Sequence, residues 1–313
     1  MQITETLFER CDSMRLSKKK KNLPWGFILL SVVPSCVLLV LFVFYPMLKS
    51  ATLSFQDVGL LSTSGPWVGL DNYAYLLKDE KFAQALVNTL KIMFVIPVVT
   101  ILISFTLAVV LHRCKLPEKN LYVTIYFFPY FMSATVVSVV YSGILQPTSN
   151  GVLNSILSVL GLESWQRAWL GDKSTALWCI AAVLILCSIG YYVVLYLSGL
   201  DSISPDLYEA AKLDGASVWQ QVWNITLPLM KNIIGTTFVL LMSGTIGGSF
   251  IYSKIMTNGG PNGASNVLLR YIYQQGVMNG NVGYSSAITV FTIVLAVILA
   301  VLSRTVTSRS EKE

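Results

Sequence analysis

Charged side chains are scarce. They make up 12% of the 313 residues, against roughly 25% in an ordinary soluble domain, and that deficit excludes a cytosolic globular enzyme. Histidine occurs once, at His112, and the five cysteines (Cys11, Cys36, Cys114, Cys179, Cys187) show no CxxC spacing. Neither a zinc site nor a disulfide framework is indicated. A phosphate-binding G-x-x-x-x-G-K-[ST] run is also missing, since Gly171-Asp172-Lys173-Ser174 is too short to be one. The formal net charge is +6, but the basic residues sit at the ends of apolar blocks and form no stripe with interleaved aromatics. No nucleic-acid partner is expected.

What the chain has instead is long apolar stretches. Hydrophobic residues account for 54% of it and mean hydropathy is +0.64. A membrane span needs about 20 apolar residues, and six blocks meet that need: 25–48, 86–111, 121–145, 175–198, 231–252 and 285–303. Their interiors are nearly free of charge; only Lys91 intrudes, near an end where its stem can snorkel. The first block follows a basic segment, yet it is too long for a signal-peptide core and lacks an A-x-A-like cleavage site, so it reads as a retained span. The expected fold is an all-α integral membrane protein with six transmembrane helices. It is organised as a basic tail (1–24) that can lie against anionic lipid headgroups, a helical domain (25–303) and a short second tail (304–313).

An even number of spans puts both termini on one side. With the N-terminus inside, 14 of the 22 Lys and Arg residues fall on inner segments and 8 on outer ones. The positive-inside rule therefore makes both termini cytoplasmic. The outer connections are then 49–85, 146–174 and 253–284. The first carries Pro66-Trp67-Val68-Gly69-Leu70-Asp71-Asn72-Tyr73 and the third Thr257-Asn258-Gly259-Gly260-Pro261-Asn262-Gly263. By composition these are either ordinary interfacial loops or a docking surface for something outside the membrane. His112, beside Arg113 in the short inner connection, reads as interfacial.

The longer inner connection, 199–230, is the informative one. Ser204 is placed to cap a helix, Pro205 suits its first position, and Asp206 and Glu209 favour its positive end. Asp214-Gly215 ends it, glycine supplying the left-handed turn. Ser217 with Gln220 is a capping-box pattern for a second helix, with Val218, Trp219, Val222 and Trp223 on one apolar face and Pro228 closing it. The first helix offers Tyr208 and Leu213 as anchors, small Ala210 and Ala211 for close approach, and Glu209 as an acceptor for an arginine. Periodicity alone leaves two readings: a hairpin packing on its own spans, or one gripped by another protein. Asn224-Ile225-Thr226 matches a glycosylation sequon but lies on the cytoplasmic side.

Glu209-Ala210-Ala211, three residues, Gly215, and then Ile225-Thr226-Leu227-Pro228 resembles the EAA loop of permease subunits of binding-protein-dependent ABC importers, and it falls between the fourth and fifth of six spans, as in that family. Val68-Gly69-Leu70-Asp71-Asn72-Tyr73, Asn88-Thr89 and Met256-Thr257-Asn258-Gly259-Gly260-Pro261 are similar to marks of its maltose-type carbohydrate-uptake branch. The resemblance spans about residues 25–303. It implies the type I ABC importer permease fold in a multi-pass bacterial cell membrane protein. It implies as partners a second homologous permease, two ATPase subunits and an extracellular sugar-binding protein. This chain would bind no cofactor or metal, and ATP and Mg would sit on the ATPases; Leu197-Ser198-Gly199 is only a fragment of an ATPase signature. The residues Tyr208, Glu209, Ala210, Ala211, Leu213, Asp214 and Gly215 would form the ATPase-coupling element, with Glu209 its polar contact and Gly215 its turn.

A sugar path needs hydroxyl and amide partners beside aromatic faces. Tyr141, Gln146, Ser188, Tyr191, Tyr192, Ser243, Thr245, Ser249 and Tyr252 provide these groups; Tyr at a span end is also an ordinary interfacial anchor, and Ser or Thr within a span an ordinary helix-bonding residue. Many members of the family carry a Trp shortly before the Gly-aromatic pair of span four, whereas this chain has Cys187-Ser188-Ile189 before Gly190-Tyr191. A proton- or sodium-coupled carrier would need ionisable groups or carbonyl cages inside the membrane and commonly an inverted repeat. The span interiors offer no such ionisable groups and no such repeat is evident, so an ion-coupled secondary carrier stands as the alternative only through carbonyl-bound sodium. A membrane enzyme would need an acid, base or nucleophile constellation that the spans do not offer.

Overall fold

The computed structural model describes residues 25–114, 118–146 and 151–309; the tail 1–24 with its lysine run and Cys11 lies outside them. The described residues are helical, with isolated β-bridges at Gln56–Trp67 and Gly59–Asn281. The chain divides into two compact units, residues 1–50 and 51–313. The helix α1 runs Trp25–Leu39 and continues through a π turn, Val40–Phe44, into Tyr45–Leu53. The second unit holds α2 (Asp71–Lys78), α3 (Glu80–Arg113), α4 (Lys119–Phe131), α5 (Ala134–Ile144), α6 (Val152–Val159), α7 (Ala176–Asp201), α8 (Pro205–Leu213), α9 (Val218–Gln221), α10 (Leu227–Tyr252), α11 (Leu268–Tyr273) and α12 (Val282–Arg309). Among the described residues five helices are long and apolar enough to cross a membrane, or six if the bent pair α4–α5 is one span.

That bend qualifies the span expected over 121–145, which is two helices and not one. The axes of α4 and α5 differ by 99° across Met132 and Ser133, both of which are extended. Pro129 offers no N–H to the last turn of α4. The helix closes instead with Met132 N–H on the Pro129 carbonyl, and α5 restarts with Val137 N–H on the Ser133 carbonyl. A correction concerns Pro228, which does not close the hairpin's second helix: α9 runs through a π turn, Val222–Thr226, directly into α10. The Leu227 N–H reaches back five residues to the Val222 carbonyl, and this widened turn takes up the proline without breaking the rod.

The core is built around α7, the most buried of the spans. Ile180, Val193, Tyr196 and Leu200 are sealed on it, against α3, α4 and α10. Small residues permit the close crossings, as is usual where helices pack in lipid: at Gly199 a Cβ would stand 2.7 Å from side-chain atoms of Met230 and Ile233. Polar side chains tie the same helices. Ser104 Oγ donates to the Ile189 carbonyl at 3.1 Å, and the Tyr196 hydroxyl meets Thr237 Oγ1 at 2.6 Å.

On the side formed by 51–85 and 253–284, three sequence motifs lock the connections in place. Asn72 Nδ2 donates to the Ser54 and Gln56 carbonyls. Asn88 Nδ2 donates to the Gly263 and Asn266 carbonyls, and Thr89 Oγ1 accepts the Leu268 N–H. Arg270, 7% exposed, donates to Asn266, Gln274 and Asn258 side-chain oxygens, and burial lowers its pKa. Asp79 caps α3 through the Lys81 N–H and accepts the Tyr271 and Tyr284 hydroxyls at 2.5 and 2.6 Å.

Candidate functional site

Two features stand out in the second unit: a groove midway along its spans, and the hairpin beside the C-terminal ends of α3 and α7.

The groove is a cavity of about 450 Å³ between the α4–α5 bend, α7 and α10. Its wall is aromatic. Tyr130 stacks on Tyr191 with centroids 4.8 Å apart, and Tyr191 meets Tyr192 edge-on at 5.0 Å. Ser188 and Thr245 add hydroxyls, each donating to the carbonyl four residues back (Leu184 and Leu241). A hydroxyl bonded this way still has lone pairs to offer as an acceptor. Gly244 and Gly248 keep the α10 side of the groove low, and Tyr252 closes one end. Towards the hairpin it is continued by a second cavity of about 760 Å³, which shares Tyr191 and Leu240 and adds Ser198, Ser202, Asn232 and Thr236. Aromatic faces beside hydroxyl and amide groups are what a sugar ring needs, apolar contact on one side and hydrogen bonds at the rim.

Of the nine residues read from the sequence, the structure therefore gathers Ser188, Tyr191, Tyr192, Thr245 and Tyr252. The other four lie elsewhere. Tyr141 is half-buried on α5 against the core, and Gln146 is exposed just beyond that helix. Ser243 faces a small space lined by Met93, Ala296 and Leu299, because two residues along a helix turn a side chain about 200° away from Thr245. Ser249, 1% exposed, donates to the Ile246 carbonyl. Tyr130 and Met132 line the groove and were not singled out by sequence; the signal for them was Pro129, which marks the end of α4.

In the hairpin, α8 ends in a Schellman motif: Ala216 N–H bonds the Ala211 carbonyl and Gly215 N–H the Lys212 carbonyl. Gly215 has φ +77°, with open space where a Cβ would stand. Ser217 and Gln220 form the reciprocal capping box. Ser204 occupies the N-cap position of α8, but its hydroxyl turns to Asp206 Oδ2 at 3.3 Å and caps no backbone N–H. Glu209, Ala210, Leu213 and Asp214 are exposed, Leu213 to 90%, and Ala211 is half-buried. Tyr208 turns inward: its hydroxyl meets Thr226 Oγ1 at 3.1 Å. Trp219 on α9 and Trp223 in the π turn that follows extend the exposed apolar surface.

A family described as binding-protein-dependent transport system inner membrane component matches residues 17–312. YurN of Bacillus subtilis, a probable ABC transporter permease protein, is 36% identical over 90% of this chain and 94% of its own. NgcF of Streptomyces coelicolor, a diacetylchitobiose uptake system permease protein, is 28% identical over 84% of this chain and 77% of its own. A chain in the crystal structure of a bacterial alginate ABC transporter, in complex with an alginate pentasaccharide-bound periplasmic protein, superposes with TM-score 0.80 at 24% identity. It covers 94% of this chain and 98% of that one, a likeness of fold.

Proposed function

Because the chain belongs to the family of binding-protein-dependent transport system inner membrane components, we propose that it is the permease subunit of an ATP-driven importer of sugar chains, with an oligosaccharide as cargo. It sits in the cell membrane as a multi-pass protein and is not itself an enzyme. A second, homologous permease faces the groove and completes the path. An extracellular binding protein delivers the sugar, and two ATPase subunits, which hold the ATP and Mg, bind below. Both termini are cytoplasmic, as the 14-to-8 distribution of Lys and Arg favours.

The observation that carries this reading is the groove of Tyr130, Tyr191, Tyr192, Ser188 and Thr245, continued towards the exposed hairpin. NgcF, a relative over most of its length, is named for uptake of diacetylchitobiose, which supports a short sugar chain as cargo. In this reading α8 seats in the ATPase through Glu209, Ala210, Leu213 and Asp214, with Gly215 as its turn. Tyr208 and Ala211, on the inner side, hold the helix to its own domain. ATPase closure pushes α8, and because α9 is continuous with α10 the push reaches the groove wall, as in rigid-body alternating access. The test is to purify the tagged chain from its native membrane, identify a second permease and an ATPase with it, and measure ATP-driven uptake of labelled chito-oligosaccharides and other short sugar chains in proteoliposomes. ATP-dependent uptake of one of them supports the reading; ion-driven transport by the lone chain without ATP overturns it.

A further inference from the structure

Arg113 is the last residue of α3, and its side chain reaches both arms of the hairpin. Nη1 donates to Gln221 Oε1 at 3.0 Å, and the guanidinium carbon lies 5.2 Å from the centre of the Tyr208 ring, a cation–π distance. Both contacts continue into the hairpin's own framework. Gln221, 2% exposed, donates from Nε2 to the Ala216 carbonyl at 3.0 Å, one residue past the Gly215 turn. The Tyr208 hydroxyl meets Thr226, whose Oγ1 also lies 3.4 Å from the Gln221 carbonyl. One planar cation thus touches α8 through a ring and α9 through an amide. Beside it, His112 Nε2 stands 3.3 Å from Asp201 Oδ1 at the end of α7.

This arrangement is a poor one for stability and a good one for position. Among the described residues no carboxylate pairs with Arg113, and its Nη2 is buried without an acceptor there. Desolvating a cation on such terms offsets much of what its contacts contribute. The planar guanidinium, though, meets an amide at its edge and a ring at its face, and so constrains the relative orientation of the two. What it joins is also informative. The hairpin is tied to α10 covalently, through the π turn, but to α3 only through side chains. α3 in turn contributes Ile96 to the groove, about 26 Å from Arg113 along a straight helix.

We propose that Arg113 is the positioning residue that makes the hairpin and α3 move as one body, so that displacement of α8 moves two walls of the groove, α3 and α10, in step. This rests on the hairpin being the coupling element. The readout is the number of ATP molecules hydrolysed per sugar transported by the reconstituted complex, alongside ATPase co-purification. In Arg113→Ala that ratio rises about tenfold or more while the ATPase remains bound. In Arg113→Lys, which keeps a cation over Tyr208, part of the coupling returns. Should Arg113→Ala not accumulate, Tyr208→Leu and Gln221→Met each remove one contact and each raise the ratio. An unchanged ratio in the Arg113, Tyr208 and Gln221 variants, with uptake abolished in Gly215→Asp, overturns the joint and leaves the coupling hairpin standing. Normal coupling in all of them overturns the hairpin reading itself. A structural role alone would not move the second readout, the spin-label distance between positions 110 and 212, both exposed and outside the set that meets the ATPase. It stays constant between nucleotide-free and vanadate-trapped wild-type complex and changes in Arg113→Ala; a change in the wild type overturns the proposal.

Discussion

Gly190 of α7 lies so close under the main chain of α4 that a Cβ built on it would stand 2.0 Å from the Tyr126 carbonyl oxygen. The neighbouring atom is backbone and cannot step aside, so only glycine fits. One turn further along α4, this contact sets Tyr130 on the face of Tyr191. Gly190→Ala is expected to part the two helices, at a cost of about 1–3 kcal/mol, and to open the aromatic wall. A lowered thermal midpoint together with weakened sugar uptake checks this; an unchanged midpoint would mean that α4 shifts freely.

Tyr191→Ala and Tyr192→Ala each remove an aromatic face from the groove without touching the hairpin. Both should raise the half-saturating sugar concentration for uptake by about tenfold, the effect of losing roughly 1.4 kcal/mol of binding, with ATPase association unchanged. Ser243→Ala and Ser249→Ala, whose hydroxyls lie off the groove, should leave uptake as it is. Equal effects from all four would identify the tyrosines as packing residues.

Asp79 ties α3 to Tyr271 and Tyr284. Burial pushes its carboxyl up, but the two hydroxyls and the Lys81 and Phe82 N–H groups outweigh that and hold it below the ordinary 3.8. A depressed carboxylate stabilises the fold above its unfolded pKa and loses that contribution as pH falls through the folded value. Asp79→Asn should therefore cost on the order of 1 kcal/mol at neutral pH, read as a midpoint lowered by about 3 °C. The gap to wild type should close below about pH 3.8. A gap that is the same at pH 7 and pH 3 would contradict this.

The helical membrane architecture was legible because apolar continuity and the shortage of charge are properties of whole segments. So was the hairpin: Pro205, Gly215 and the Ser217–Gln220 pair each have a local backbone reason to be where they are, and the structure keeps all three. What periodicity could not reveal was anything decided between helices. The 99° bend depends on Met132 and Ser133 adopting extended backbone, and a run of apolar letters reads the same whether straight or broken. Pro228 looked like a stop because a proline's missing N–H is visible in sequence, whereas the π turn that accommodates it is not. Among the groove residues, hydroxyl and aromatic identity selected nine positions. Helix rotation then separated Thr245 from Ser243, and Tyr130 could be found only once the bend was known. Asn72, Asn88 and Thr89, which stand in the motifs that carry the family resemblance, bind main chain 16 to 179 residues away, which no single-chain periodicity reports.

The central claim is that an ATPase acts on the groove through the exposed hairpin, and Gly215 tests it most directly. A Cβ at that position meets nothing within 4 Å among the described residues beyond its chain neighbours, so its cost within this chain is that of the left-handed turn, about 1–2 kcal/mol. The measurement is ATP-driven sugar uptake by proteoliposomes holding the assembled complex with Gly215→Asp in place of wild type, at matched protein content. The account predicts that the chain inserts, ATP is still hydrolysed, and uptake falls by about tenfold or more. Uptake at the wild-type rate would contradict it.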